Sequence, residues 1–207
     1  MRRRVLRTLN QYLYGREGNT LPYELHSNFR FFLAIRHLLC YNETKKGGDP
    51  MSFAHHDRDE DLFSLHDCIT NHVCFQDNVW SFDFPDGFWV LPDHPESRLD
   101  KAVRSDPAQV EYTLMDNEYD VTIYVFEKSL FGQTVRKEWS IEKLADKINS
   151  GACHLEFLYR YNQGDHIAIL KCNLRTNKKP YFQDCWIEIT YASVQYAWNR
   201  LCEDKVW

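Results

Sequence analysis

Potential metal ligands and acid–base groups crowd into one short stretch, residues 55–74, which reads HHDRDEDLFSLHDCITNHVC. Its first part brings His55, His56 and Asp57 together, with Asp59 and Asp61 close behind. Imidazoles beside carboxylates are the donor set of a hard or borderline divalent cation. The D-x-D-x-D spacing lacks the glycine and the distal glutamate of a calcium loop, which excludes calcium binding by that route. The second part places His66, Cys68, His72 and Cys74 within nine residues. A structural zinc site draws its ligands from two separate knuckles. On a single helix Cys68 and His72 share a face while His66 and Cys74 do not, which leaves at most half a site. The competing reading makes the acids a helix entry, favoured by the helix dipole, and the cysteines small apolar side chains. No cofactor is expected, a divalent metal being the one this stretch leaves open.

Arg30 and His37 form the second constellation. Seven residues apart, they fall on one face of a helix, two turns along. An arginine and a histidine so spaced resemble the R-x4-6-H motif of HEPN ribonucleases. The resemblance covers these two residues. It implies attack of a ribose 2′-OH on the adjacent phosphate without a metal, His37 moving the proton and Arg30 holding the phosphate. In the alternative, both side chains reach the rim of a core and pair with carboxylates. Other chemistries find no foothold, because G-x-S-x-G, P-loop and G-x-G-x-x-G patterns are all missing.

These groups need elements to hold them. Leu21–Tyr41 is apolar almost all round in its second half, with Thr20 as N-cap and Pro22 in its first turn. Such a helix is buried, which makes it the expected pillar of the core. Arg2–Tyr14 is a second, amphipathic helix carrying Val5, Leu6, Leu9, Tyr12 and Leu13 on one face. The KKGGDP of Asn42–Ala54 is a break. Leu62, Leu65, Ile69 and Val73 predict a third helix from about Arg58 to Val73. Gln76–Glu96 reads as irregular, since Pro85, Gly87, Pro92 and Pro95 exclude a long element. Its aromatics, Trp80, Phe82, Phe84, Phe88 and Trp89, either wrap the core or display an aromatic surface.

From Ala108 the hydrophobic period changes to two. Strands are predicted over Ala108–Met115, Tyr119–Glu127, Gln133–Trp139, Ala152–Tyr161, His166–Leu174 and Phe182–Thr190. Ser140 caps a helix whose Ile141, Leu144, Ala145 and Ile148 share a face. A last helix is predicted over Tyr191–Asp204 on Val194, Ala197, Trp198, Leu201 and Cys202. The expected fold class is α+β, one domain over 1–207. Its N-terminal helices (1–75) and an irregular acidic, aromatic segment (76–107) precede a sheet-rich part (108–207). The sheet is mainly antiparallel, with about six strands and two further helices.

Composition narrows the function classes. At 43% hydrophobic and 15% aromatic residues, the chain can build a core. It has no run of about eighteen apolar residues. Its opening MRRRVLRTLNQYLYG lacks the apolar region of a secretory signal. Neither a membrane span nor export is expected. Seven cysteines, odd in number and irregular in spacing, point to free thiols in a reducing, cytoplasmic setting. The net charge of -5 is uneven: +5 over residues 1–50, -9 over 51–100 and -1 over 101–207. An acidic middle disfavours nucleic acid and favours cationic partners. These features point to a non-catalytic intracellular binding protein of the inhibitor, immunity or adaptor kind. It would hold a basic protein partner with Trp80, Asp83, Asp86, Phe88, Trp89 and Asp93. The alternatives are a metal-dependent phosphoesterase or nuclease using His55, His56 and Asp57, and a metal-free ribonuclease using Arg30 and His37.

Overall fold

The computed structural model describes residues 52–116, 118–129 and 131–207. The chain divides into two compact units, Met1–Gly48 and Asp49–Trp207, and all described residues belong to the second. The helices expected at Arg2–Tyr14 and Leu21–Tyr41, with Arg30 and His37, lie outside the described residues.

The second unit is mostly strand. In chain order it runs β1 (His55–Asp57), a 3-10 turn (Glu60–Leu62), β2 (Phe63–Ser64), β3 (Cys68–Thr70), β4 (His72–Gln76), β5 (Val79–Phe84), β6 (Trp89–Val90) and β7 (Val103–Ser105). Then follow β8 (Ala108–Leu114), β9 (Val121–Lys128), β10 (Thr134–Trp139), α1 (Ile141–Asn149), β11 (His154–Asn162), β12 (Ile167–Arg175), β13 (Phe182–Trp198) and β14 (Leu201–Val206). The larger sheet has 10 strands along the path β3-β11-β12-β13-β8-β5-β4, with β1 and β9 also on β13 and β10 on β9; the smaller is β14-β7-β6-β2.

The 17-residue β13 organises the larger sheet. Its first half pairs antiparallel with β12 and β9, its second half with β8 and β1. Between Tyr191 and Ser193 the register shifts. Ile187, Ile189 and Tyr191 are buried before the shift, and Val194, Tyr196 and Trp198 after it. One inserted residue thus reverses the inward parity and bends the strand, so a single strand serves both halves of the sheet. The core fills the space they enclose. Phe82 of β5 meets Phe157 of β11 edge-on at 5.4 Å, and Trp80, Tyr112, Tyr196 and Trp198 are fully buried around them. The helix α1 starts where Ser140 Oγ accepts from Lys143 N, and it buries Ile141, Leu144 and Ile148. Its last residue clamps the open edge of β4: Asn149 Nδ2 donates to Val73 O at 2.8 Å and Val73 N to Asn149 Oδ1 at 2.9 Å. Satisfying those edge groups shields β4 from stray pairing.

The α+β expectation of N-terminal helices packed on a sheet is corrected here: the described residues form two sheets and contain one α-helix. Residues 58–73 are a 3-10 turn and short strands. Asp67 sits at φ +57, a conformation no helix interior tolerates, and Cys68, Thr70 and Val73 point inward from strands. Gln76–Glu96 is less irregular than expected, since Val79–Phe84 alternates strictly between half-buried and buried positions. Tyr191–Asp204 is not helical either; β13 continues through Trp198 and turns into β14. The strands expected between Ala108 and Thr190 are present as β8 to β13, with α1 among them.

One polar cluster ties β11 and β13 to the 3-10 turn. A register shift between Phe157 and Tyr159 turns Arg160 inward. Arg160 Nη1 donates to Tyr196 Oη at 3.1 Å and lies 3.3 Å from Glu60 Oε2, while Nη2 donates to Glu60 O at 3.0 Å. Tyr191 Oη donates to the same carboxylate, at 2.9 and 3.0 Å from its two oxygens.

Burial in this core sets the response to alkali. Burial pushes the Tyr196 phenol from 10.0 up to about 12, with Arg160 opposing the shift. Burial likewise pushes the Cys68 thiol from 9.0 up to about 12, against the pull of Arg104. Both groups hold their protons more tightly folded than unfolded. Their contribution is therefore complete below about pH 9 and is lost as pH rises towards about 12. Denaturant titrations at stepped pH will give level stability up to about pH 9 and a steep fall above it, less steep in Cys68→Ala. A fall of equal slope in that variant would remove Cys68 from the account.

Candidate functional site

The residues singled out by type and spacing are held apart, each with its own partner. His55 Nδ1 lies 2.7 Å from Glu96 Oε1, and its ring stacks on Trp198 at 5.5 Å. His56, on the opposite face of β1, places Nδ1 3.2 Å from Gln195 Nε2. Asp57 Oδ1 accepts from Arg58 N at 2.6 Å and Asp59 N at 2.8 Å, and its Oδ2 lies 3.3 Å from Nε2 of the buried His94. His66 Nδ1 donates to Leu158 O at 2.5 Å. Cys68 is buried, and its raised pKa keeps it a neutral thiol, whereas metals take the thiolate. Among the described residues no three His, Cys, Asp or Glu side chains are grouped to hold a metal ion. Six described cysteines are free thiols.

One pairing joins two of the candidates. His72 Nδ1 lies 2.8 Å from Asp83 Oδ2 across β4 and β5, and Asp83 Oδ1 accepts from Gln109 Nε2 at 2.7 Å. Asp83 is thereby built into the sheet. Trp80 and Phe88 are fully buried, which takes both out of any docking surface. Trp89 is half-buried, with Nε1 donating to His66 O at 3.0 Å and Arg104 4.7 Å above its ring. Asp86 and Asp93 are exposed. The aromatic anchors expected at Trp80 and Phe88 thus serve the core.

A different aromatic surface lies on the outer face of the larger sheet. Where β9, β11, β12 and β13 bury alternate residues, the outward parity should be polar. Instead it carries Phe182 (56% exposed), Trp186 (40%), Tyr159 (53%) and Tyr161 (54%), with Tyr124 and Phe126 half-buried beside them. The registers align them. Glu138, Tyr124, Trp186, Lys171 and Tyr159 form one cross-strand row over β10, β9, β13, β12 and β11. Phe126 meets Trp186 edge-on at 5.7 Å. Three cations of this face lie on its rings, Arg136 4.5 Å from the Tyr124 centroid, Arg175 5.4 Å from Phe182 and Lys171 6.0 Å from Tyr159, while Lys128 Nζ donates to Thr134 Oγ1 at 2.8 Å. Arg175 also pairs with Glu156 at 3.2 Å. The carboxylates of Glu138, Asp184 and Glu188 are exposed and have no side-chain partner among the described residues. The signal for this face was in the sequence, as aromatics on the wet parity of strands whose dry parity is filled by Ile123, Val125, Cys185 and Ile187.

Tyr159 leads from this face into an open cleft of about 460 Å³, lined among others by Asp61, Leu65, His66, Arg160 and Trp207. The His66 ring lies 5.4 Å from both Trp207 and Tyr159. Arg160 is already committed to Glu60 there, so the cleft offers aromatic walls and an exposed Asp61 rather than a free cation. No helix of the described residues is long and apolar enough to cross a membrane. No known protein-family model, curated protein or solved structure matches the chain.

Proposed function

We propose that this chain is a non-catalytic binding protein that docks a basic protein partner on the outer face of its larger sheet. The observation that supports it is the row Tyr124, Trp186, Tyr159 on an exposed face, flanked by the unpaired carboxylates of Asp184 and Glu188. Rigid aromatics bury large area at small entropic cost, and they anchor protein interfaces. Unpaired acids at the rim select a cationic partner and speed its approach. Charge points the same way. Of 25 Lys/Arg and 30 Asp/Glu, nine and four precede residue 51, leaving 16 against 26 in the remainder, a balance of -10. A field of that sign repels phosphate backbones and attracts basic proteins. The free thiols accord with a reducing intracellular setting. An inhibitor, immunity or adaptor role fits such a surface. The enzyme alternatives rest on His55, His56 and Asp57, each already partnered, and on Arg30 and His37 outside the described residues.

Affinity capture tests the proposal. Wild type, Trp186→Ala and the Asp184→Lys/Glu188→Lys pair are immobilised side by side and exposed to one lysate. Wild type will retain a basic protein in a salt-sensitive way, and Trp186→Ala will bind it at least ~30-fold more weakly, the loss typical of a central aromatic anchor. The charge-reversed pair will lose most of its association rate. Equal retention by all three proteins would sink the proposal.

A further inference from the structure

β10 is the open edge of the larger sheet. Among the described residues it pairs with β9 alone, and Thr134–Glu138 are exposed on both faces. The hairpin register fixes which of its backbone groups are free. Ser129 N donates to Gln133 O at 2.7 Å, and pairing continues through Thr134↔Lys128 to Trp139↔Ile123. Bonded and non-bonded pairs alternate along an antiparallel ladder. Val135, Lys137 and Trp139 therefore turn their N–H and C=O groups towards β9. Thr134, Arg136 and Glu138 turn theirs outward, as a template for one more strand.

We propose that the occupant of this edge is a second copy of the chain, joined β10 to β10 about a two-fold axis at Lys137. The side chains carry the choice of partner and register. Antiparallel pairing centred on Lys137 sets Arg136 opposite Glu138 of the second copy, twice, at bonded positions. It sets Val135 opposite Trp139, also twice, at non-bonded positions. Opposite charges and apolar–aromatic pairs are the favourable cross-strand combinations. Arg136 already lies on Tyr124 at 4.5 Å, so its guanidinium is placed over the outer face where the second Glu138 arrives. The one like-charge meeting is Lys137 with its counterpart. Each of these ammonium groups is neutralised within its own chain by Glu127 Oε2 at 2.5 Å. Centring the axis on Arg136 instead would oppose two guanidinium groups with no such compensation. Of the registers centred on 135, 136 and 137, the last alone sets opposite charges against each other, and it gives a closed dimer with the aromatic faces of both copies on a continuous sheet.

Sedimentation equilibrium of the full chain over a concentration series tests this. Wild type will be a reversible dimer. Arg136→Glu and Glu138→Arg, each placing like charges opposite one another, will weaken dimerisation at least ~10-fold. Arg136→Glu combined with Glu138→Arg restores complementarity and will recover the dimer to within about threefold of wild type. Lys137→Cys provides a second arm. At a non-bonded two-fold position the Cα atoms approach to about 4.5 Å, within disulfide range. Mild oxidation will therefore lock that variant as a covalent dimer and leave Thr134→Cys without an intermolecular cross-link. A wild-type monomer at every concentration, or a dimer that neither charge variant weakens, would overturn the proposal.

Discussion

Alanine at position 87 is expected to cost this fold about 3 kcal/mol or more, since both its backbone conformation and its surroundings exclude a side chain. Gly87 adopts φ +76 at the turn between β5 and β6, where Gly87 N donates to Phe84 O at 3.0 Å. A Cβ there would overlap Ser105 O and stand 2.5 Å from both Asp106 O and Ser105 Oγ. Two of those three atoms are backbone, in or just after β7, and they cannot swing aside. The Ser105 residue that carries two of the three is itself tied down: Ser105 N donates to Phe88 O at 2.8 Å and Phe88 N to Ser105 Oγ at 3.0 Å. Gly164 separates the two causes. It has the same φ of +76 with nothing within 4 Å, so Gly164→Ala carries the conformational cost alone, about 1 kcal/mol. Denaturant midpoints of the two variants will differ by the cost of crowding. Equal midpoints would mean that β7 moves away freely and that the close approach has no structural weight.

That turn also marks what the sequence made legible. Pro85 and Gly87 announce a break, and a break is there, but it joins two strands instead of continuing an irregular segment. Val79–Phe84 carries its alternation openly, but at six residues it is short beside the prolines at 85, 92 and 95 that follow it. From Ala108 to Thr190 the period of two was readable because long strands keep one parity. It failed where a single residue was inserted. Across Tyr191–Ser193 the buried set passes from odd to even numbers. Val194, Ala197, Trp198, Leu201 and Cys202 can then be threaded onto a helical face that does not exist. The same device on β11 turns Arg160 inward and Tyr159 outward. Residues 58–73 misled for another reason. Strands of two to five residues are too short to show a period, while apolar residues three and four apart arise there by chance. The candidate site fared similarly. Trp80 and Phe88 are conspicuous by composition, whereas Trp186 and Tyr124 share the outward face by parity, which requires the strand register to be known.

Arg160→Ala will be the most damaging single truncation of a charged side chain among the described residues, at about 3 kcal/mol, because it strands the Glu60 carboxylate. Glu60 and Arg160 side chains are 20% and 21% exposed, so solvent relieves the pair only in part and the loss stays near the lower end for buried pairs. Tyr191 sharpens the effect. Its hydroxyl donates to Glu60, and burial with that hydrogen bond raises its pKa, so the phenol remains a donor throughout the neutral range. Tyr191→Phe removes one donor from a carboxylate that retains Arg160, and will cost about 1 kcal/mol. Glu60→Gln and Arg160→Met together remove both charges and will recover at least ~1 kcal/mol relative to the sum of the single changes. Arg160 lies between Tyr159 and Tyr161 on β11, whose outward rings belong to the aromatic face. On the function proposed above, loss of Arg160 will weaken capture of the basic partner even under conditions where the fold is retained. The double variant, which keeps β11 seated without the ion pair, should restore capture. A cycle that sums without coupling would leave the cluster as an accumulation of independent contacts, and would detach the positioning of that face from the half-buried charge pair beneath it.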